Sequence, residues 1–247
     1  MDNFLYIAAS GAKQDLLGTG LRANNLANAQ TTGFKAQLEQ ARAMPVYGEG
    51  LPTRVFSMTE SPTNNYESGP MIQTGRELDV AIQGDGWFTV QDANGQEAYS
   101  RDGSFQLGPD GMLTDMHGNM VMGDNGPIFL PVPLDNLSFA SDGTISVRPV
   151  GAPENVSEEV GRLGLVKPDY RDMERGNDGL FRMKDGTQAQ QDVTVQIGSG
   201  MLEGSNVNAV DEMVNMISLQ RHYEMQVKMM KQAEELDTRG NMLLRII

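Results

Sequence analysis

The C-terminal segment of the chain restricts its fold more than any other stretch. No proline interrupts the sequence from Asn208 to Ile247, and Asn208 is a favourable helix N-cap with Asp211 as its capping-box partner. At 1.5 Å per residue, a helix of this length would span about 55 Å. Because that is too long for a compact domain, the segment predicts a coiled coil or a filament.

Both ends of the chain repeat small or apolar residues at the alternating steps of three and four that coiled coils use. In the N-terminal segment the repeat consists of Leu5, Ala9, Ala12, Leu16, Thr19, Ala23 and Leu26. In the C-terminal segment it consists of Met216, Leu219, Tyr223, Met230 and Ala233. We therefore expect two long terminal helices that pair with each other as a coiled coil.

The N-terminal helix is predicted to end in a sequence that helices do not favour, "ANNLANAQTTGFK". Asn24, Asn25 and Asn28 each cost a helix interior about 0.5–0.7 kcal/mol relative to alanine. Gly33 occupies the position of a left-handed C-terminal cap, and Phe34 follows it. Asn24 and Asn28 are four residues apart and share one helical face, whereas Asn25 points about 100° away. Either the helix frays here, or the amides bind something.

The middle of the chain is predicted to be antiparallel β structure. The run "DVTVQIG" alternates cleanly and predicts a strand with Val193, Val195 and Ile197 on one face. Turn-forming pairs separate the other short apolar runs: Asn94-Gly95, Asp102-Gly103, Asp110-Gly111, His117-Gly118, Asp142-Gly143 and Asp185-Gly186.

These patterns together predict an α+β fold with three kinds of segment. The terminal helical domain occupies 1–35 and 205–247, and a central antiparallel all-β domain occupies 74–204. Between them, 36–73 is an extended connector rich in proline, with a strand at "TRVFSM". Helical ends that can pair with each other and with neighbouring copies are typical of a polymerising subunit.

Composition excludes several classes of function. The 247 residues include 19 Lys and Arg against 33 Asp and Glu, and the net charge of −14 argues against binding to nucleic acid phosphates. The absence of cysteine excludes disulfides, thiolate catalysis and thiolate metal sites. The first residues do not resemble a Sec-type signal peptide, and no run approaches the roughly 18 apolar residues of a membrane span.

No catalytic constellation can be identified in the sequence. The stretch "GTGLRA" at Gly18–Ala23 matches a dinucleotide fingerprint only formally, because it lies inside the helical repeat rather than after a strand. His117 and His222 are the only histidines, and neither has a partner at metal-ligand spacing. We therefore expect no enzyme activity, no cofactor and no metal. The alternatives from other classes are a nucleotide-binding enzyme using Gly18–Ala23 and a secreted β domain that binds a small ligand or glycan through Trp87.

The motifs "ANNLANAQTTGFK", "TGRELDVAIQGDGWFTV" and "LEGSNVNAVDEMVNMISLQRHYE" follow one another along the chain. Together they resemble the flagellar basal-body rod protein family, which belongs to the rod and hook axial proteins of the bacterial flagellum. The stretches "MDNFLYIAASGA", "MPVYGEGLPTRV", "GRLGLV" and "RGNDGLFR" resemble proximal rod members most. A distal rod or hook subunit is the alternative within the family.

The resemblance implies a structural subunit of the proximal rod, the axial drive shaft that transmits torque across the periplasm. It implies partners among other copies and other rod proteins, and export by the flagellar type III apparatus without a cleaved signal peptide. The charge and the apolar runs described above already argue against a nucleic acid partner and a membrane span. The terminal helices would form the inner tube of the assembly, and the β domain would face outward.

In such a tube a buried asparagine amide can fix the register between helices. We therefore expect Asn24 and Asn28 to bond to a neighbouring subunit, with helix fraying as the alternative. The full set of residues expected at subunit contacts is Leu5, Ala9, Ala12, Leu16, Ala23, Asn24, Asn25, Leu26, Asn28, Phe34, Met216, Leu219, Tyr223, Met230 and Ala233.

Overall fold

The computed structural model describes residues 2–39, 41–45, 55–59, 63–151, 153 and 157–244. The chain divides into two compact units, which we call unit 1 and unit 2. Unit 1 contains Met1–Ala29, Lys35–Asn65 and Val207–Ile247, and unit 2 contains Gln30–Phe34 and Tyr66–Asn206. The two long helices belong to unit 1, and unit 2 consists mainly of antiparallel strands, so the α+β prediction is confirmed.

Unit 1 is built from two helices and four short strands. The strands β1 and β4 pair antiparallel, as do β2 and β3, and the second pair includes most of the strand predicted at "TRVFSM". The elements are α1 (Asp2–Ala27), β1 (Gln37–Leu38), β2 (Ala41–Pro45), β3 (Val55–Thr59), β4 (Thr63–Asn64) and α2 (Ala209–Leu244).

The start of α2 is capped as the sequence predicts. The side-chain oxygen of Asn208 accepts a hydrogen bond from the backbone N–H of Val210 at 3.1 Å, and its amide donates to Asp211 at 2.7 Å. The backbone N–H of Glu212 donates to the Asn208 carbonyl at 3.0 Å, which closes the first helical turn.

The end of α1 differs from the prediction. The helix ends at Ala27, whereas the sequence placed its C-terminal cap at Gly33. The backbone N–H of Asn28 is shared between the carbonyls of Asn24 and Asn25, at 3.2 and 3.1 Å, which tightens the last turn. Gly33 does have the predicted left-handed conformation, with φ of 66°, but it lies in unit 2 and does not cap the helix.

The strands of unit 2 are short and pair antiparallel throughout its described residues. They are β5 (Met71–Gln73), β6 (Val80–Gln83), β7 (Trp87–Gln91), β8 (Glu97–Ser100), β9 (Gln106–Leu107), β10 (Leu113–Thr114), β11 (Met120–Gly123), β12 (Gly126–Pro127), β13 (Leu134–Phe139), β14 (Thr144–Pro149), β15 (Glu158–Arg162), β16 (Leu165–Val166), β17 (Met173–Arg175), β18 (Phe181–Met183), β19 (Gln196–Ser199) and β20 (Met201–Glu203). A short 3₁₀ turn, Tyr170–Asp172, precedes β17.

A nine-stranded sheet organises unit 2. Its strand order is β17-β18-β8-β7-β11-β10-β9, with β12 paired to β11 and β16 paired to β7. The strands β13, β14 and β15 form a second sheet. The pairs β6–β19 and β5–β20 complete the unit and join residues that are far apart in the sequence.

The core of unit 2 is apolar and continuous. Val80, Phe88, Phe105, Leu113 and Ile145 are fully inaccessible to solvent and belong to one buried cluster. A second cluster contains Trp87, Tyr99, Val166, Met173 and Phe181, with the Trp87 and Phe181 ring centroids 4.5 Å apart. These inward-facing residues come from neighbouring strands, as expected for an antiparallel sheet with a buried face.

Five of the six predicted turn glycines have positive φ: Gly95, Gly111, Gly118, Gly143 and Gly186. Gly103 does not, and it is needed for a different reason. A Cβ at this position would lie 1.7 Å from the carbonyl oxygen of Val80, so only glycine permits this backbone approach.

The strand predicted at "DVTVQIG" is partly wrong. Val195 and Ile197 are buried as expected, but Val193 is 73% exposed and lies before the strand, which begins at Gln196. Asp192 accounts for the difference, because its carboxylate accepts hydrogen bonds from the backbone N–H and hydroxyl of Thr194 and so forms a turn.

Candidate assembly surface

The two helices of unit 1 expose large apolar side chains that helices normally turn inward. On α1, Tyr6, Leu16 and Leu17 are each more than half exposed. On α2, the same is true of Val210, Met213, Val214 and Ile217, which we call the α2 stripe. Contiguous exposed apolar surface of this kind marks a site of contact with another protein.

The α2 stripe lies on the side of α2 that faces away from α1. Its residues are spaced i, i+3, i+4 and i+7, so they share one face at about 100° per residue. Glu212, Leu219 and Gln226 contact α1 and are also spaced by seven residues. On the helical projection, their direction is about half a turn from the centre of the α2 stripe.

The contact between α1 and α2 is antiparallel and uses small or polar residues. A Cβ added at Gly11 would lie 2.9 Å from Gln226 Nε2, and one added at Gly18 would lie 3.2 Å from Leu219 Cδ1. Nearer the end of α1, Arg22 Nη1 lies 3.2 Å from Glu212 Oε2. Among the helix side chains that the structure describes, the buried apolar ones are alanines, namely Ala8, Ala12 and Ala233.

The residues predicted at subunit contacts fall into three groups by exposure. The exposed members are Leu5, Ala9, Leu16, Ala23, Asn24 and Tyr223. The half-buried members are Leu26, Asn28, Met216, Leu219 and Met230. The buried members are Ala12, Asn25, Phe34 and Ala233, and among these Phe34 belongs to unit 2. The predicted set is therefore not one surface of the monomer.

Asn25 is the centre of a buried polar cluster in unit 1. It is 0% exposed, and its amide pairs with the backbone of Gln37 in both directions. The Asn25 Nδ2 donates to the Gln37 carbonyl at 2.8 Å, and the Gln37 N–H donates to Asn25 Oδ1 at 2.9 Å. The Nδ2 group also donates to Glu212 Oε1 at 3.1 Å. One side chain thereby joins α1, β1 and α2.

Glu212 connects this amide to a positive charge. Its carboxylate accepts hydrogen bonds from Arg22 at 3.2 Å as well as from Asn25, and its residue surface is 6% exposed. A buried carboxylate requires such partners, because water no longer solvates it. The sequence analysis did not identify Glu212, so this part of the cluster was missed.

The other two asparagines have different roles in the monomer. Asn24 is exposed. Asn28 donates its side-chain amide to the Asn24 carbonyl at 2.9 Å, and this carbonyl also accepts the backbone N–H of Asn28 at 3.2 Å. The face shared by Asn24 and Asn28 is therefore not the one that carries the buried amide.

One further ionisable group lies along the helix contact. Burial raises the pKa of the Asp15 carboxyl above its ordinary value of 3.8, while the charge of nearby His222 acts in the opposite direction. The antiparallel register that pairs Gly11 with Gln226 and Gly18 with Leu219 also brings Asp15 near His222.

The described residues contain no arrangement suited to catalysis by a metal. No group of three or more His, Asp or Glu side chains among them could hold a metal ion. Gly18–Ala23 lies inside α1, so it lacks the strand-to-helix turn that a dinucleotide site requires. Trp87 is 1% exposed, so its ring is not available to stack on a glycan. Within the part of the chain that the structure describes, no helix is long and apolar enough to cross a membrane.

Sequence reasoning missed the α2 stripe, Arg22 and Gln37. A signal for the stripe was present, since "VDEMVNMI" places its four residues on one helical face. The heptad template favoured a different set, beginning at Met216. No comparable signal existed for Gln37, because its backbone bonds the Asn25 amide and backbone groups leave no trace in side-chain patterns.

Comparisons with known proteins match two parts of unit 2 and most of α2. The family model described as flagellar hook protein FlgE/F/G D1 domain matches residues 81–147. The model described as flagellar basal body rod FlgEFG protein C-terminal matches residues 199–243. The second match contains the whole α2 stripe and Glu212.

Full-length relatives extend the similarity to the whole chain. The flagellar basal-body rod protein FlgF of Escherichia coli (strain K12) is 45% identical, over 99% of both chains. FlgF of Caulobacter vibrioides is 38% identical over 96% of this chain and 95% of its own. The flagellar basal-body rod protein FlgG of Agrobacterium fabrum is 30% identical over 94% of this chain and 95% of its own. The chain therefore belongs to the FlgF family of flagellar basal-body rod proteins.

Proposed function

We propose that this protein polymerises in the proximal rod and that the exposed faces of α1 and α2 are the surfaces through which its copies join each other and other rod proteins. The observation that carries the proposal is the α2 stripe, four apolar side chains more than half exposed on the side of α2 away from α1. Burying one such side chain contributes about 1.5–3 kcal/mol. A repeated contact of this kind is sufficient to favour a filament over free monomers.

The helices of unit 1 form a coiled-coil inner tube in this proposal, and unit 2 faces outward. The close approach of α2 to Gly11 and Gly18 supports tight helix pairing. Charge supports the outward position, because two thirds of the acidic residues but fewer than half of the basic residues belong to unit 2. Such a surface stays hydrated more readily than it packs.

The assembled rod crosses the periplasm and transmits torque, and the subunit reaches it through the flagellar type III export apparatus without a cleaved signal peptide. No catalysis is required of such a subunit. Of the predicted contact residues, we assign the exposed and half-buried ones to subunit contacts, including Leu16 and Tyr223. We assign Asn25 and Phe34 to the interior of the monomer, because both are already buried there.

The test places a charge in the α2 stripe. Val214→Glu should leave the monomer folded, because Val214 is exposed, but it should prevent rod assembly by burying an unpaired carboxylate. Asn215→Glu is the matched control, since Asn215 is also exposed but points well away from the stripe. Basal bodies would be counted by electron microscopy, and monomer folding and export would be checked separately. Normal rods with Val214→Glu would reject the stripe as an assembly surface.

A further inference from the structure

A short segment of the chain lies in unit 2 although both of its flanks lie in unit 1. The chain leaves unit 1 after Ala29, contributes Gln30–Phe34 to unit 2, and returns to unit 1 at Lys35. The segment contains no regular helix or strand. Its position in unit 2 therefore depends on specific contacts rather than on pairing in a sheet.

Three hydrogen bonds hold this segment against different parts of unit 2. The hydroxyl of Thr32 donates to Asp102 Oδ1 at 2.8 Å, and the N–H of Gly33 donates to the Glu203 carbonyl at 2.8 Å. The Asn206 N–H donates to the carbonyl of Phe34 at 3.3 Å. Unit 2 thus forms hydrogen bonds with the side chain of Thr32 and with the backbone groups of the next two residues, Gly33 and Phe34.

The site accepts only glycine at its centre. Gly33 has φ of 66°, a conformation that side chains rarely adopt. A Cβ there would lie 2.4 Å from the carbonyl carbon of Arg101 and 2.5 Å from the N of Asp102. Both obstacles are backbone atoms, so a larger residue cannot be accommodated by moving a flexible side chain.

The site also selects an aromatic residue after the glycine. Phe34 is 6% exposed, and the guanidinium carbon of Arg175 lies 4.4 Å from its ring centroid. This distance is that of a cation–π contact, which is worth more when it is desolvated, as here. Arg175 in turn lies 5.9 Å from the ring centroid of Phe181.

The surface that receives the segment is held rigid by a buried ion pair. Arg101 Nη1 lies 2.8 Å from Glu203 Oε2, and both side chains are 1% exposed. Arg101 also donates to the Gly84 carbonyl at 2.6 Å, and Glu203 accepts from the Gly69 N–H at 2.9 Å. Since Arg101 and Glu203 also contact Gly33 through their backbones, the ion pair fixes the backbone that surrounds the glycine.

We propose that unit 2 carries a peptide-recognition site for the sequence hydroxyl residue–glycine–aromatic residue, and that the same segment of a second copy of this chain can occupy it in place of the chain's own. The selecting groups are Asp102, Arg101, Glu203 and Arg175. None of their contacts depends on whether the bound segment is joined to the same chain. Exchange of an identical element between copies is a known route to association. The proposal rests on contacts within unit 2 and does not depend on the α2 stripe.

The test uses the full chain with Gly33→Ala, which displaces its own segment, and a synthetic peptide of residues 28–36. Trp87 is the only tryptophan, and its ring centroid lies 5.6 Å from the Arg101 guanidinium carbon, so its fluorescence should report binding. The peptide should bind the variant with one-to-one stoichiometry. It should bind the unaltered chain at least about tenfold more weakly, because the tethered segment competes at millimolar effective concentration.

The control is the same peptide with alanine in place of glycine, which should also bind at least about tenfold more weakly, because its Cβ meets the Arg101 backbone. Equal binding of the two peptides, or no binding to a folded variant, would overturn the proposal. If Gly33→Ala does not fold, the Phe34→Ala chain serves for the same comparison. Failure of both variants to fold would also contradict the proposal, because a site that binds the segment from outside has to stay folded while its own segment is displaced.

Discussion

Replacing Asn25 with alanine should destabilise unit 1, although alanine favours helices. The change leaves the N–H and carbonyl of Gln37 without their partners and removes one donor from Glu212. An unsatisfied buried polar group costs about 1–3 kcal/mol. Gln37 is only half-buried, so water will partly replace the lost bonds, and the helix gains about 0.5 kcal/mol. We expect a net loss of about 2–3 kcal/mol in the free energy of unfolding.

The measurement is chemical denaturation of the purified monomer, followed by the helical signal in circular dichroism. Asn24→Ala is the matched control: the residue is adjacent, exposed and of the same type, so its replacement should be neutral or stabilise by about half a kcal/mol. Equal effects of the two substitutions would refute the reasoning. So would an Asn25→Ala monomer as stable as the unaltered one.

Three further predictions concern stability. Gly20→Ala should stabilise α1 by up to about 1 kcal/mol in thermal unfolding, because nothing lies within 4 Å of the new methyl group. Gly18→Ala should stabilise it less, because the Glu39 carboxylate at 2.6 Å and Leu219 Cδ1 at 3.2 Å would both have to move. Arg101→Met should cost about 3–5 kcal/mol in denaturant, because it leaves Glu203 buried and unpaired. Backbone N–H donors hold the pKa of the Asp92 carboxyl in the folded protein below its ordinary value of 3.8. The stability that ionised Asp92 contributes is therefore complete above pH 3.8 and is lost as the pH falls through the lower pKa of the folded state. The melting temperature of Asp92→Asn should consequently change less between neutral and acidic pH than that of the unaltered chain.

Much of the fold could be predicted because it depends on local chemistry. The cap at Asn208 follows from side-chain geometry near one helix end, and the turn at Asp142-Gly143 follows from the preference of glycine for positive φ. The antiparallel pairing in unit 2 follows from many such turns in succession. These features are encoded within a few residues, so a single sequence is sufficient to identify them.

The features that were missed depend on contacts between distant segments. The sequence shows three asparagines but not that Asn25 is the one that meets β1, 12 residues later, and α2, 187 residues later. The predicted helix end at Gly33 was wrong because that glycine belongs to unit 2, where the backbone of Arg101 leaves no room for a side chain. Heptad spacing identified residues such as Leu219, which contacts α1, but not the α2 stripe, which the monomer leaves uncovered.

The most direct test of the assembly surface measures its accessibility before and after assembly. The chain has no cysteine, so Ile217→Cys introduces a single thiol in the α2 stripe, and Val193→Cys introduces one at an exposed position of unit 2. Both thiols should react with a maleimide in the monomer. In purified basal bodies the thiol at position 217 should be protected while the thiol at position 193 still reacts. A thiol at position 217 that reacts as fast in basal bodies as in the monomer would contradict assembly through the α2 stripe.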